Sequence, residues 1–305
     1  MRTPVLMVLG SCASLQIGAA LAAHLFPATG SAGATLLRLG LAAIVLLLIA
    51  RPAVRAWRRD QWREVVLLGV SLAAMNGFFY AAIARIPLGI AVTIEFLGPL
   101  TLAAVLSRRG RDFLWVALAA LGVLALGWTG PDAAGLDPVG VLYVLIAAIF
   151  WALYILAGTR AGAAVPGHGG LAVAMTVAAL LVLPGGLSGA ATAFTSPSLL
   201  LLALGTGLLA SVIPYTLEMA ALRRLPQAVF GILLSLEPAV AALAGWLLLS
   251  QPLSLTTAAA IAVVVLASIG STLSAARRRP TQPLPLEASA GQHLPDDGLP
   301  IPSAR

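Results

Sequence analysis

Ten runs of roughly twenty mostly apolar residues follow one another along this chain with only short gaps between them, a spacing that admits few folds. In hydrocarbon no water is present to satisfy backbone N–H and C=O groups, so runs of this length become helices that bond internally. They fall at 4–26, 32–50, 64–84, 88–106, 113–129, 139–158, 169–187, 198–221, 227–249 and 254–275. Composition agrees, with 60% hydrophobic residues, 10% charged and a mean hydropathy of +1.00, where soluble domains carry about 25% charged residues. The predicted class is an all-α polytopic membrane protein of ten transmembrane helices.

Net charge is +7, and every basic residue is an arginine. A basic excess also marks nucleic-acid binding, but here the arginines collect in the gaps between apolar runs, which is where topogenic charge belongs. Arg51, Arg55, Arg58, Arg59 and Arg63, then Arg108, Arg109 and Arg111, then Arg160, Arg223 and Arg224, and finally Arg277, Arg278 and Arg279 share one side of the bilayer if the N-terminus does. Only Arg85 falls opposite. The positive-inside rule therefore places both termini in the cytoplasm and excludes nucleic acid as a partner. The first run, with Arg2 before it and Ala20 and Ala22 near its end, has the outline of a signal peptide. Its length, and an arginine-rich loop only after the next run, favour an uncleaved helix. Cys12 reads as a small packing residue, His24 and His168 as interfacial, and the proline-rich stretch 276–305 as a disordered cytoplasmic tail.

The chain repeats itself. Arg85-Ile86-Pro87 and Pro99 recur 139 positions later as Arg224-Leu225-Pro226 and Pro238. Each half, 1–138 and 139–275, holds five runs, an odd number, so the second must enter the bilayer from the opposite side as an inverted repeat. Pro99 frees the carbonyl of Glu95 and Pro238 that of Leu234, since proline has no N–H to give the residue four before it. Freed carbonyls at membrane depth are tolerated where they line protein or a wet cavity.

Beside those prolines sit Glu95 and Glu237, and a third ion, Arg38, lies in the second run. Together they cost about 10 kcal/mol on insertion scales unless paired or hydrated, which makes them candidates for a substrate and proton site. Arg38 and Glu95 are also suited to a structural ion pair. Asn76 and Tyr80 share a helix face, and Tyr215 occupies the repeat position of Asn76. Gln16, Trp151 and Tyr154 complete a candidate lining, while Glu218 reads either as a cavity residue or as an interfacial partner of Arg223 or Arg224. Gly18 and Ala22, four apart, suit close helix packing inside one copy or in a homodimer. Metal-ligand spacings, nucleophile motifs and Gly-rich phosphate loops are missing, so neither an enzyme, a metal nor a cofactor is expected. No carbonyl filter or charged ring recommends a passive channel.

Pro87-Leu88-Gly89-Ile90-Ala91-Val92 through Glu95-Phe96 to Gly98-Pro99-Leu100, Trp151-Ala152 with Tyr154, Pro214-Tyr215 with Leu217-Glu218-Met219, and Phe230-Gly231 through Glu237-Pro238-Ala239 resemble the EamA-type drug/metabolite transporter superfamily over roughly residues 4–275. The resemblance implies ten spans in two repeats, a place in the bacterial inner membrane, and export of small amino acids of the threonine and homoserine kind by proton antiport. A different cargo within the superfamily is the alternative it leaves open. One departure is Ser250-Gln251, where relatives commonly carry Gly-Glu. On this reading Glu95 or Glu237 meets the ammonium, Arg38 or Asn76 the carboxylate, and Gln16 or Tyr80 a hydroxyl. Tyr80, Trp151 or Tyr154 adds a cation–π contact.

Overall fold

The computed structural model describes residues 2–107, 109–128, 136–165, 167–222 and 224–276. Arg108, Arg223, Arg277, Arg278, Arg279 and the expected disordered tail lie outside them, apart from Ala276. Within them the chain is helical, with no strand: α1 Arg2–Ala50, α2 Arg59–Ile83, α3 Leu88–Glu95, α4 Leu97–Ser107, α5 Phe113–Trp128, α6 Pro138–Ala164, α7 Gly169–Thr192, α8 Pro197–Gly207, α9 Ile213–Leu222, α10 Gln227–Leu234, α11 Glu237–Leu249 and α12 Leu255–Ala276. Among them are eight stretches long and apolar enough to cross a bilayer.

The first two predicted runs share α1, which is interrupted at a single residue, Gly30, with φ 65° and ψ 168°. That conformation is essentially confined to glycine, so one residue does the work of the expected connection. The arms fold back on each other, since Leu21 from one and Leu41 from the other both abut Gly205 to Gly207 of α8. Gly18 lies against Ala210 inside the same chain, which answers the packing question for that glycine in favour of an internal contact.

The repeat is legible in backbone angles. Pro87 precedes α3 with φ −56° and ψ 141°, and Pro226 precedes α10 with φ −56° and ψ 139°. Each then heads an eight-residue helix that stops at equivalent residues, Phe96 with φ −62° and ψ −17° and Ser235 with φ −62° and ψ −14°. A second helix, α4 or α11, resumes after each break with its proline in the first turns, where a missing N–H costs nothing. The two broken helices meet at a centre where α3, buried along its whole length, packs against α11.

Close approach across that centre depends on Gly98, at the repeat position of Glu237. A methyl group there would overlap the Ala148 carbonyl oxygen of α6. Gly98→Ala is therefore expected to push α4 off α6 and lower the Tm of the purified protein by roughly 2–6 °C, the equivalent of about 1–3 kcal/mol of overpacking. Gly77→Ala, which faces open space, should leave it unchanged in the same thermal scan; equal behaviour of the two variants would refute this account of the contact.

The ends are tied by polar contacts. Arg85 pairs with Asp137 at 2.8 Å, and that carboxylate also accepts from the Val139 N–H at the start of α6. The Arg85 hydrogen bond holds the Asp137 carboxyl below the usual carboxylate range. Gln251, where the superfamily resemblance leads one to expect an acid, accepts the Leu88 N–H through its side-chain oxygen at 3.0 Å. It thereby caps α3 from the far repeat, a task that needs an acceptor and no charge. Asp112, its repeat equivalent, is buried at the other end.

Candidate functional site

Where the two broken helices meet α1, α2, α6, α9 and α12, they enclose a cavity of about 370 Å³. Glu95, Glu237, Arg38 and Asn76 line it, as do Gln16, Glu218 and the Pro99 ring. Trp151, Tyr154 and Tyr215 form its aromatic wall, with Trp151 set edge-on against Phe96 at 5.2 Å between ring centroids. Pro238 is buried in α11 and is not among the lining residues.

Arg38 is not paired with Glu95; among the described residues it forms no ion pair. Its Nε donates to Ser211 Oγ at 3.1 Å and its Nη2 to the Ala210 carbonyl at 2.8 Å. Pro214, four positions on, has no N–H to give that carbonyl. Around it, Leu208–Val212 forms a turn of π-helix, and Ser14 satisfies the neighbouring Leu209 carbonyl at 2.7 Å. Pro214 thus does for Arg38 what the reading of Pro99 and Pro238 anticipated for the acids, and it was available in the sequence.

Tyr80 is where the expectation fails. It does not line the cavity; it is fully buried beneath Arg38, whose guanidinium carbon lies 5.3 Å from the ring centroid. It shares a helix face with Asn76, and the guanidinium lies over its ring. Asn76 remains in the lining, with its amide nitrogen donating to the Leu72 carbonyl at 2.8 Å.

The carboxylates have separate holders. Glu237 accepts from Gln16 Nε2 at 3.1 Å, and Glu218 accepts from Ser11 Oγ at 2.6 Å. Glu218 lines the cavity with that hydrogen bond in place. Glu95 has no hydrogen-bond partner among the described residues. Three carboxylates against one guanidinium leave two excess negative charges if all are ionised, and like charges away from water repel strongly. A proton or a cationic group relieves that repulsion.

Sequence reasoning missed one wall: α12 contributes Ser268, Ser271 and Thr272. Their spacing of three and four residues is a helix-face signal, but serine and threonine commonly bond their own helix in membranes and so stand out little. Cys12, buried beside Val8, Ala221, Leu225 and Phe230, packs as read, while His24 is exposed six residues before the break at Gly30 and His168 is exposed at the start of α7.

An all-helical membrane protein with a charged and aromatic cavity between two broken helices is a transport protein in class. The EamA-like transporter family model matches residues 138–273. The threonine/homoserine exporter RhtA of Escherichia coli strain K12 is 42% identical over 271 residues, covering 89% of this chain and 92% of that protein. The exporter of the same name from Salmonella typhimurium strain SL1344 is 42% identical over 277 residues, covering 91% and 93%. A crystal structure at 20% identity shares the fold with a TM-score of 0.59 over 90% of this chain and 99% of its own. The chain belongs to the EamA-like transporter family, as a multi-pass protein of the bacterial inner membrane.

Proposed function

We propose that this protein is a ten-span secondary exporter, built from inverted repeats at 1–138 and 139–275, that carries small amino acids of the threonine and homoserine kind outward in exchange for protons. The ten spans follow if the arms of α1 cross separately and α5 crosses as well. The termini are then cytoplasmic, on the arginine-rich side. The matching breaks at Phe96 and Ser235 support the repeat, and the names of the 42% identical relatives support the cargo.

The observation that carries the reading is the imbalance of charge in the cavity. A zwitterion needs an anion for its ammonium and donors for its carboxylate, and Glu237, Glu95 and Arg38 supply both around one space. A carboxylate out of water is more easily held protonated than bare. Glu237 can then bind a proton from one side of the membrane and release it to bind the ammonium from the other. Competition for one carboxylate is the coupling.

Labelled threonine and homoserine should accumulate in inverted membrane vesicles containing the protein when a proton gradient is imposed. Accumulation indifferent to the gradient would contradict the antiport. No accumulation by vesicles holding folded protein would contradict the cargo, and inhibition by larger aromatic cations would redirect it to another metabolite.

A further inference from the structure

On the reading that the cargo is an amino acid, we infer that the hydroxyls of Ser268 and Thr272 on α12 are the acceptors that recognise a hydroxyl group on its side chain. Ser235 Oγ lies 2.9 Å from the Gly231 carbonyl, to which it can donate, and 2.7 Å from Ser268 Oγ, a pair in which either hydroxyl can be the donor; with the Ser235 proton on the carbonyl, the Ser268 proton lies between the two serines. Thr272 Oγ1 donates to the Ser268 carbonyl at 3.0 Å. With their protons engaged in this way, Ser268 and Thr272 present lone pairs to the cavity.

A surface of lone pairs selects a donor. The ammonium of the cargo has carboxylates to meet, and its carboxylate has no proton to give. The remaining donor lies on the side chain, and in an amino acid of the threonine and homoserine kind it is an O–H. One turn of helix separates Ser268 from Thr272, about 5–6 Å, so hydroxyls on side chains of different length each find an acceptor. The opposite repeat makes the contrast plain: where Ser235 holds Ser268, Phe96 stands at the equivalent position and packs on Trp151. One wall is apolar and the other hydroxylic.

The cost falls on the cargo that lacks the group. Valine has the shape of threonine without its hydroxyl, and it would cover these acceptors while leaving them unpaired. Sites built around such a bond discriminate by at least about tenfold. Competition against labelled threonine uptake in gradient-driven inverted vesicles reads this directly. Unlabelled threonine is expected to compete at least about tenfold better than valine in the wild type. Ser268→Ala and Thr272→Val, made singly so that one informs if the other does not fold, should each shrink that ratio several-fold while valine competes as before. Thr272→Ser, which restores the hydroxyl, should recover it. A ratio near one in the wild type overturns the assignment, as does a variant that weakens threonine and valine equally. Wild-type vesicles that take up no amino acid overturn the cargo reading and this inference with it, an outcome distinct from uptake without preference.

Discussion

Glu237→Gln is expected to abolish uphill export. The substituted amide keeps an oxygen for the Gln16 donor that now lies 3.1 Å from the carboxylate, so the local structure has little reason to change. What disappears is the capacity to exchange a proton for an ammonium. One net charge moving inward through ~150 mV releases about 3.5 kcal/mol, which sustains a gradient of a few hundred-fold. In inverted vesicles the accumulation ratio for threonine should fall from that range to about one. Glu95→Gln is the comparison that matters, because Glu95 faces the same cavity with no hydrogen-bond partner among the described residues. If Glu237→Gln still accumulates threonine in response to the gradient and Glu95→Gln does not, the coupling carboxylate is Glu95.

Much of this site was readable before any coordinates, for a physical reason. A charge or a proline in hydrocarbon is expensive, so Arg38, Glu95, Glu237, Pro99 and Pro238 announce themselves, and repetition at 139 residues ties two of the breaks together. The broken helices stop where the duplicated prolines place them, at Phe96 and Ser235. The rest was hidden because it costs little or is decided between helices. Hydroxyls on α12 are cheap, since each can bond its own backbone. Tyr80 and Asn76 share a helix face, and only the folded chain lays the arginine from α1 over the tyrosine ring. Gln251 gives no sign in sequence that its partner is the Leu88 N–H in the other repeat. The acid expected there from relatives and the amide found here can both accept that bond.

Arg38→Lys is expected to lose carboxylate recognition although it keeps the charge. The guanidinium is fixed on three sides, by Ser211 Oγ, by the Ala210 carbonyl and by the Tyr80 ring beneath it. Those contacts engage Nε and one N–H of Nη2, and they leave the remaining donors of a planar fork to face the cavity. A lysine ammonium has three donors on a flexible stem and cannot hold two of these contacts while presenting a bidentate edge to a carboxylate. A charge-assisted bond of this kind contributes about 1.5–3 kcal/mol, so the half-saturating threonine concentration should rise by roughly 10- to 150-fold. Threonine amide, which has no carboxylate, separates binding from scaffolding. It should compete weakly with the wild-type protein and no more weakly with Arg38→Lys. If the variant instead loses threonine and threonine amide in equal measure, or disappears from the membrane, Arg38 is a strut for the π-helical turn at 208–212 and the carboxylate must be sought at Asn76.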